Sequence, residues 1–285
     1  MASVSVCICT RNRPDELART LESVRASSHP VDQVVVSDDS QDSATRELVA
    51  SRFPEVTYTT GPRRGLGANR NVAAEHATGE FVLFLDDDCL LDERWVEHAL
   101  ARLGTNGDSA RTIVTGLERN AGHLIGPADQ DFLGFQRVPY AAGDALKTVV
   151  INSALFPRRL FRTHHFDEQL VYGCDEVDLT TRAVAAGYRI SLCPDAVNDH
   201  RPAPSNRDYY SDFAVSSRIY VTFKRYFRTE GRRAKGLVYL PVAAAHAVAS
   251  AVRHVGPARG LAVGARTVSR AIGYIRRGVF GRAAA

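Results

Sequence analysis

The first hundred residues alternate short apolar runs with amphipathic stretches. Ser3 to Thr10 (SVSVCICT) alternates strictly, with Val4, Val6 and Ile8 on one face and Ser5, Cys7 and Cys9 on the other. Both faces are small or apolar, as in a strand covered on both sides. Pro14, with Asp15 and Glu16 behind it, marks a helix start that is expected to run to about Ala26. Gln33 to Ser37 (QVVVS), Val56 to Thr60 and Glu80 to Leu85 (EFVLFL) read as further strands. Ser43 to Arg52 reads as a helix, and so does the segment after the glycine-rich turn Gly61 to Gly67, closing at Gly79 as a C′ glycine. Asp92 to Leu103 is amphipathic at helical spacing.

Beyond about Gly104 the pattern loosens. Thr112 to Thr115, Thr148 to Ile151 and Tyr188 to Leu192 read as strands, and Asp175 to Ala186 as a helix closed by Gly187. Asn206 to Arg228 is a long helical pattern carrying Tyr209, Tyr210, Phe213, Tyr220, Phe223 and Phe227. Strands alternating with helices over short connections predict an α/β fold with a doubly wound, mostly parallel sheet. Such sheets bind ligands outside the carboxyl ends of their strands. Three polar clusters fall there: Thr10-Arg11-Asn12, Asp38-Asp39 and Asp86-Asp87-Asp88.

Composition, with 45% apolar and 24% charged residues, is that of an ordinary soluble domain. The charge is more informative. From Ser217 onward there are 14 Lys/Arg and one acid, Glu230, whereas the preceding residues carry 22 Lys/Arg and 31 Asp/Glu. The net +4 therefore hides an acidic body and a basic tail. The five cysteines (Cys7, Cys9, Cys89, Cys174 and Cys193) are odd in number and lack metal-like spacing, so reduced, mostly buried thiols are expected. Met1-Ala2-Ser3 leads into the first strand without a basic segment or apolar core, so a cytoplasmic protein is expected.

Asp86, Asp87 and Asp88 end a strand of apolar residues, where three carboxylates repel unless a cation neutralises them. Hard oxygen ligands in small number suit Mg²⁺ or Mn²⁺ shared with a diphosphate. Asp38 and Asp39 can accept hydrogen bonds from a base or a ribose, or can cap the next helix. Gly65-Leu66-Gly67-Ala68-Asn69-Arg70 resembles a dinucleotide fingerprint but does not follow the first strand, so it reads instead as a turn bringing Arg70 toward phosphates. Asp175, Glu176 and Asp178 open a helix, where acids suit the dipole. A carboxylate there can also serve as a general base. His200 can complete a metal site or be structural.

Taken in order, Cys-Thr-Arg-Asn-Arg-Pro, Val-Val-Val-Ser-Asp-Asp, Gly-Ala-Asn-Arg-Asn, Leu-Phe-Leu-Asp-Asp-Asp and Phe-Asp-Glu-Gln-Leu followed by Asp-Glu-Val-Asp-Leu resemble family 2 glycosyltransferases of GT-A fold, over about residues 3 to 225. The resemblance implies a nucleotide-binding half (1–104), an acceptor half (105–228) and a C-terminal helical appendage (229–285). It implies that Thr10 and Asp39 contact the nucleoside, with Arg11, Asn12 and Asp38 beside them. Arg70 would lie near the phosphates. Asp86 and Asp88 would form the D-x-D pair around a Mn²⁺ or Mg²⁺, with Asp88 the direct ligand, His200 a further one and Asp87 orienting the loop. Glu176 stands where the family has its catalytic Asp, in the order Asp175-Glu176, which leaves either as the base. Arg11 stands where relatives often place an aromatic, and its guanidinium can stack there. The implied reaction is inverting transfer from a nucleotide-sugar, UDP favoured, to an acceptor hydroxyl in polysaccharide, glycolipid or natural-product glycosylation.

The tail carries no Lys, Arg, Asp or Glu from Gly236 to Val252 but includes Pro241, His246 and many alanines, short of a strongly apolar span. Arg253, Arg259, Arg266, Arg270, Arg276 and Arg277 lie among Leu, Val and Ile, as in helices lying on an anionic membrane surface. That would place the protein at the inner face of the membrane with a lipid-linked acceptor. A helix packing on the acidic body, or a homodimer arm, fits as well. No nucleic-acid motif accompanies the charge, so that partner is not expected. A sugar nucleotidyltransferase would want glycines after the first strand, which are absent; a non-catalytic nucleotide-binding protein would have no need of intact acids at Asp86, Asp88 and Glu176.

Overall fold

A computed structural model describes residues 2–105, 107–202 and 207–281, the side chains of 207–212 excepted. In chain order the elements are β1 (Val4–Thr10), α1 (Pro14–Arg25), β2 (Gln33–Asp38), α2 (Ala44–Arg52), β3 (Thr57–Thr60), α3 (Leu66–His76), β4 (Phe81–Asp86), β5 (Cys89–Leu90) and α4 (Trp95–Gly104). They continue with β6 (Thr112–Asn120), β7 (His123–Ile125), β8 (Ala128–Gln130), β9 (Gln136–Pro139), β10 (Ala154–Pro157), α5 (Asp175–Ala185), β11 (Arg189–His200), α6 (Arg207–Lys224), α7 (Arg233–Val255) and α8 (Pro257–Ile275). Asn206, where the aromatic helical pattern begins, and the side chains of Tyr209 and Tyr210 lie outside the described residues.

The main sheet has the order β3-β2-β1-β4-β10-β6-β11-β5, with β7 on β6. Its first half is parallel and matches the apolar runs. β1 is buried along its whole length, and its register sets Thr10 opposite Asp38 and Cys9 opposite Asp86. Three polar clusters far apart in sequence thereby share one sheet edge. Val6, Ile8, Leu83 and Trp95 pack in the core on one face, and Cys7, Val82, Phe84 and Phe156 in the core on the other.

The second half departs from the sequence reading. Thr148 to Ile151 is not a strand; the strand lies at Ala154–Pro157 and runs antiparallel between β4 and β6. Gly79 does not cap α3, which ends at His76. A Cβ at Gly79 would lie 2.7 Å from the Ser5 nitrogen, so close approach to β1 is what calls for glycine there. The strand read as Tyr188 to Leu192 continues to His200. A register shift between Leu192 and Val197, around Pro194, breaks the ladder with β6, and pairing then resumes. A Cβ at Gly116 would sit 2.0 Å from the Ala196 carbonyl, so β6 needs glycine beside this bulge. The resumed segment sets His200 opposite Cys89 on β5, and the Arg201 nitrogen donates to the Asp88 carbonyl at 2.9 Å. The bulge thus delivers His200 to the aspartate cluster.

α6, α7 and α8 form a third core with Tyr220, Phe223, Tyr226, Tyr239 and Tyr274, and Leu170 and Val177 tie it to the sheet domain. The boundary expected at 228 therefore cuts through continuous packing. All five cysteines are free, four of them buried and Cys174 half-buried.

Candidate active site

The carboxyl edge of the parallel half opens into a cleft of about 570 Å³, a size suited to a small-molecule ligand. Thr10, Arg11, Asp39, Asp86, Asp87, Asp88 and His200 all line it, as do Arg13, Arg63 and Tyr172.

The aspartate cluster is balanced by protein cations rather than left repulsive. Arg13 Nη1 lies 3.1 Å from Asp87 Oδ1 and 3.0 Å from Asp88 Oδ2. Asp87 is buried; it accepts a 2.8 Å hydrogen bond from Thr10 Oγ1, and its backbone carbonyl accepts another from Thr20 Oγ1. Burial raises the Asp87 carboxyl to about 7, against the pull of Arg13. Asp86 and Asp88 are the more open pair. Asp86 Oδ2 accepts from Asn152 Nδ2 at 3.2 Å, and its Oδ1 faces Arg70 Nη2 at 2.8 Å.

His200 Nε2 lies 3.3 Å from Asp88 Oδ1, and its Nδ1 lies 2.7 Å from Glu118 Oε1. Burial alone would lower its pKa, but the hydrogen bonds to Asp88 and Glu118 raise it to about 10. With a carboxylate at each ring nitrogen, His200 bridges Asp88 and Glu118 as an imidazolium. Among the described residues, no three His, Cys, Asp or Glu groups are gathered as a ready metal site.

Asp39 lines the cleft, and its Oδ1 accepts from the Arg63 nitrogen at 2.8 Å. Burial raises its carboxyl above the ordinary range. A Cβ on Gly61 would fall 2.2 Å from this Oδ1 and 2.3 Å from Asn69 Oδ1, so glycine makes room for both.

Several expected contacts fall elsewhere. Asp38 is buried outside the cleft lining; it accepts from the Ser40 nitrogen and from Tyr58 Oη, each at 2.8 Å, which is a turn role. Asn12, at φ 56°, braces its loop by donating from its nitrogen to Ser40 Oγ and accepting from the Gln41 nitrogen. Arg70 was expected near phosphates but is only 2% exposed and off the lining. Its guanidinium is committed to Asp86 on one side and to Asp175 Oδ2, at 2.5 Å, on the other.

That bridge brings α5 to the cleft. Gly173 and Cys174 both take left-handed conformations, at φ 84° and 61°, immediately before α5. For a non-glycine residue such as Cys174 this backbone is sparsely populated and strained. Asp175 and Glu176 follow, neither on the cleft lining, whereas Val171 and Tyr172 just before them line it. Glu176 is half-buried and hydrogen-bonds Asp175; burial first, then the neighbouring Asp175 charge, raises its pKa. Behind it, Asp178 pairs with Arg182 and Lys224, both at 2.8 Å.

The sequence reading missed Arg13, Asn152 and Glu118 as members of this site. Arg13 precedes a helix-starting proline and looked like part of a cap. Glu118 had one available signal, an acid a few residues beyond the apolar run that opens at Thr112.

Residues 5–168 match the model of Glycosyl transferase family 2. Succinoglycan biosynthesis protein ExoM of Rhizobium meliloti is 30% identical over 217 residues, which is 72% of this chain and 68% of that protein. Glycosyltransferase AglE of Haloferax volcanii is 26% identical over 222 residues, 74% of this chain and 71% of that one. Mannosyltransferase PcManGT from Pyrobaculum calidifontis, solved in complex with GDP-Man and Mn²⁺, superimposes with a TM-score of 0.60 at 21% identity, over 99% of this chain and 88% of that one.

Proposed function

The chain belongs to Glycosyl transferase family 2 and has the GT-A fold, and on that premise we propose that it transfers a sugar, with inversion, from a nucleotide-diphosphate donor to an acceptor hydroxyl. The observation that carries this reading is the Arg70 bridge. One guanidinium spans Asp86 in the donor cleft and Asp175 at the start of α5. The bridge ties the start of α5, which carries Asp175 and Glu176, to a carboxylate that lines the cleft.

Asp39 at the deep edge holds the nucleoside, with Thr10 and Arg11 lining its seat. UDP is favoured; dTDP and GDP stay open, the latter supported by the GDP-Man bound to PcManGT. Asp88, Asp86 and His200 would hold a Mn²⁺ or Mg²⁺. Asp86 and Asp88 offer cleft-lining carboxylate oxygens of the kind such an ion takes, and His200, paired with Asp88 and Glu118, would give up a proton and its Asp88 contact to join them. The Mn²⁺ bound to PcManGT supports use of a divalent ion. When bound, the ion supplies Lewis-acid stabilisation of the diphosphate.

Glu176 removes the acceptor hydroxyl's proton as that oxygen attacks the anomeric carbon and the bond to the diphosphate oxygen breaks. Asp175, held by Arg70, positions Glu176. A base whose pKa is raised toward the working pH is better matched to this proton transfer. The test is a panel of UDP-, dTDP- and GDP-sugars with Glu176→Gln and Asp175→Asn. Glu176→Gln should bind donor and Mn²⁺ as before and lose transfer by roughly 10²–10⁴-fold. Transfer that survives Glu176→Gln but is abolished by Asp175→Asn would move the base to Asp175. The setting is the inner face of a membrane, with the protein peripheral to it.

A further inference from the structure

We propose that the α7–α8 hairpin is a docking surface for an anionic lipid bilayer, on which the two helices lie in the plane of the membrane rather than across it. α7 is long and apolar enough to cross a membrane by length and composition. One of its faces, however, is committed to the protein body. Tyr239 is fully buried, its ring centroid 5.5 Å from Tyr226 and 5.8 Å from Phe132. Crossing would strip those rings from their core.

The opposite face is apolar and open. Leu237, Val238 and Val242 are 62%, 60% and 45% exposed, and Leu261 on α8 is 57% exposed. Ala245, Val248, Ala265, Val268 and Ile272 line an apolar groove between the two helices. Contiguous exposed apolar surface of this kind marks an interaction site. The hairpin is set closely enough to present it as one surface. A Cβ on Gly260 would lie 2.4 Å from the Val252 Cα, and one on Gly264 2.8 Å from the Val248 Cα, so glycine is what lets the backbones meet.

Charge selects the occupant. Arg259 and Arg266, two turns apart on α8, are both exposed and stand on one side of the helix. Mid-helix arginines would sit in hydrocarbon if α8 crossed; in the plane they reach the headgroups. Arg253, Arg259, Arg266, Arg276 and Arg277 are exposed along the hairpin and its end, and no acid lies between Gly231 and Gly281. A second copy on this face would oppose two strongly cationic surfaces, whereas anionic lipid complements one.

The hairpin packs against a wall of the cleft. Arg270 stacks 4.2 Å from the ring of Phe213, and Phe213 on α6 lines the cleft. Ser217 Oγ on the same helix donates to the Tyr172 carbonyl at 2.8 Å. An acceptor presented from the bilayer would meet the cleft at the wall this hairpin carries. That last consequence rests on the proposed transfer reaction; the docking does not.

The test is flotation of the full-length protein with vesicles of phosphatidylcholine plus phosphatidylglycerol, and with phosphatidylcholine alone. The protein should float with the anionic vesicles and lose binding as salt rises. Arg259→Glu with Arg266→Glu should weaken binding by roughly 25-fold or more, at about fivefold per basic residue. Val238→Asp with Val242→Asp should weaken it by at least about tenfold. Both pairs should keep wild-type circular dichroism and donor hydrolysis without vesicles, which separates lost docking from misfolding. Absence of flotation at low salt, equal binding to neutral vesicles, or variants that bind like wild type would overturn the proposal. So would a dimer in sedimentation that Val238→Asp with Val242→Asp dissolves, since that assigns the face to a second copy. A transferase assay that fails leaves the vesicle result standing, so the two readings fail separately.

Discussion

Replacing Arg70 with methionine tests whether the site is held together by one buried cation. Met keeps most of the stem's volume and removes the guanidinium. Asp175, 3% exposed at its side chain, would lose its 2.5 Å partner, and Asp86 its 2.8 Å one. Removing one partner of a buried ion pair costs about 3–5 kcal/mol, because the remaining charge is left uncompensated. Arg70→Met should therefore move the urea midpoint down by at least about 1 M at an unchanged slope. Asp175→Asn removes the stranded charge. The double variant should recover part of the loss, with a coupling of roughly 1–3 kcal/mol. Equilibrium unfolding of the wild type, the two single variants and the double variant gives that coupling directly. If the two losses add within roughly 0.5 kcal/mol, the bridge contributes no interaction energy and the reasoning is refuted.

Three further outcomes follow from the geometry. Glu176 is raised by burial and by Asp175, and a base works only when deprotonated. Transfer should therefore fall on acidification with a midpoint above the ordinary glutamate value of 4.5; a rate that tracks an unshifted carboxyl counts against Glu176. Gly61→Ala pushes a methyl into Asp39 and Asn69 and should cost roughly 1–3 kcal/mol of stability or nucleotide binding. Calorimetric titration of UDP with Gly61→Ala, unchanged from wild type, would contradict that crowding. Chelation with EDTA should abolish transfer, and Mn²⁺ should restore it in wild type but not in Asp88→Asn; turnover indifferent to EDTA would remove the metal from the scheme.

The readable part of the chain was its parallel half. β1, β2 and β4 are buried on both faces, so their sequences are continuous apolar runs whose ends are visible. The polar residues just past them had to face the cleft edge. The antiparallel half gave a weaker signal. β10 is four residues long and follows a 3-10 turn, so the expected strand at Thr148 to Ile151 fell a few residues early. Which of two adjacent acids faces the cleft was not readable either, because Asp38 and Asp39 differ only in side-chain direction at the strand's end.

By itself the sequence determined the order of strands and helices, the acids placed at their ends and the imbalance of charge toward the C-terminus. Those are properties of local periodicity and composition. Tertiary structure alone decided the partners. Arg70 reads as a phosphate ligand beside its glycines, but the fold buries it between Asp86 and Asp175, residues 16 and 105 positions away. His200 reaches Asp88 only because a bulge at Pro194 shifts β11 against β6. Buried charges must find their counterions, and where those lie is set by the packing of distant elements.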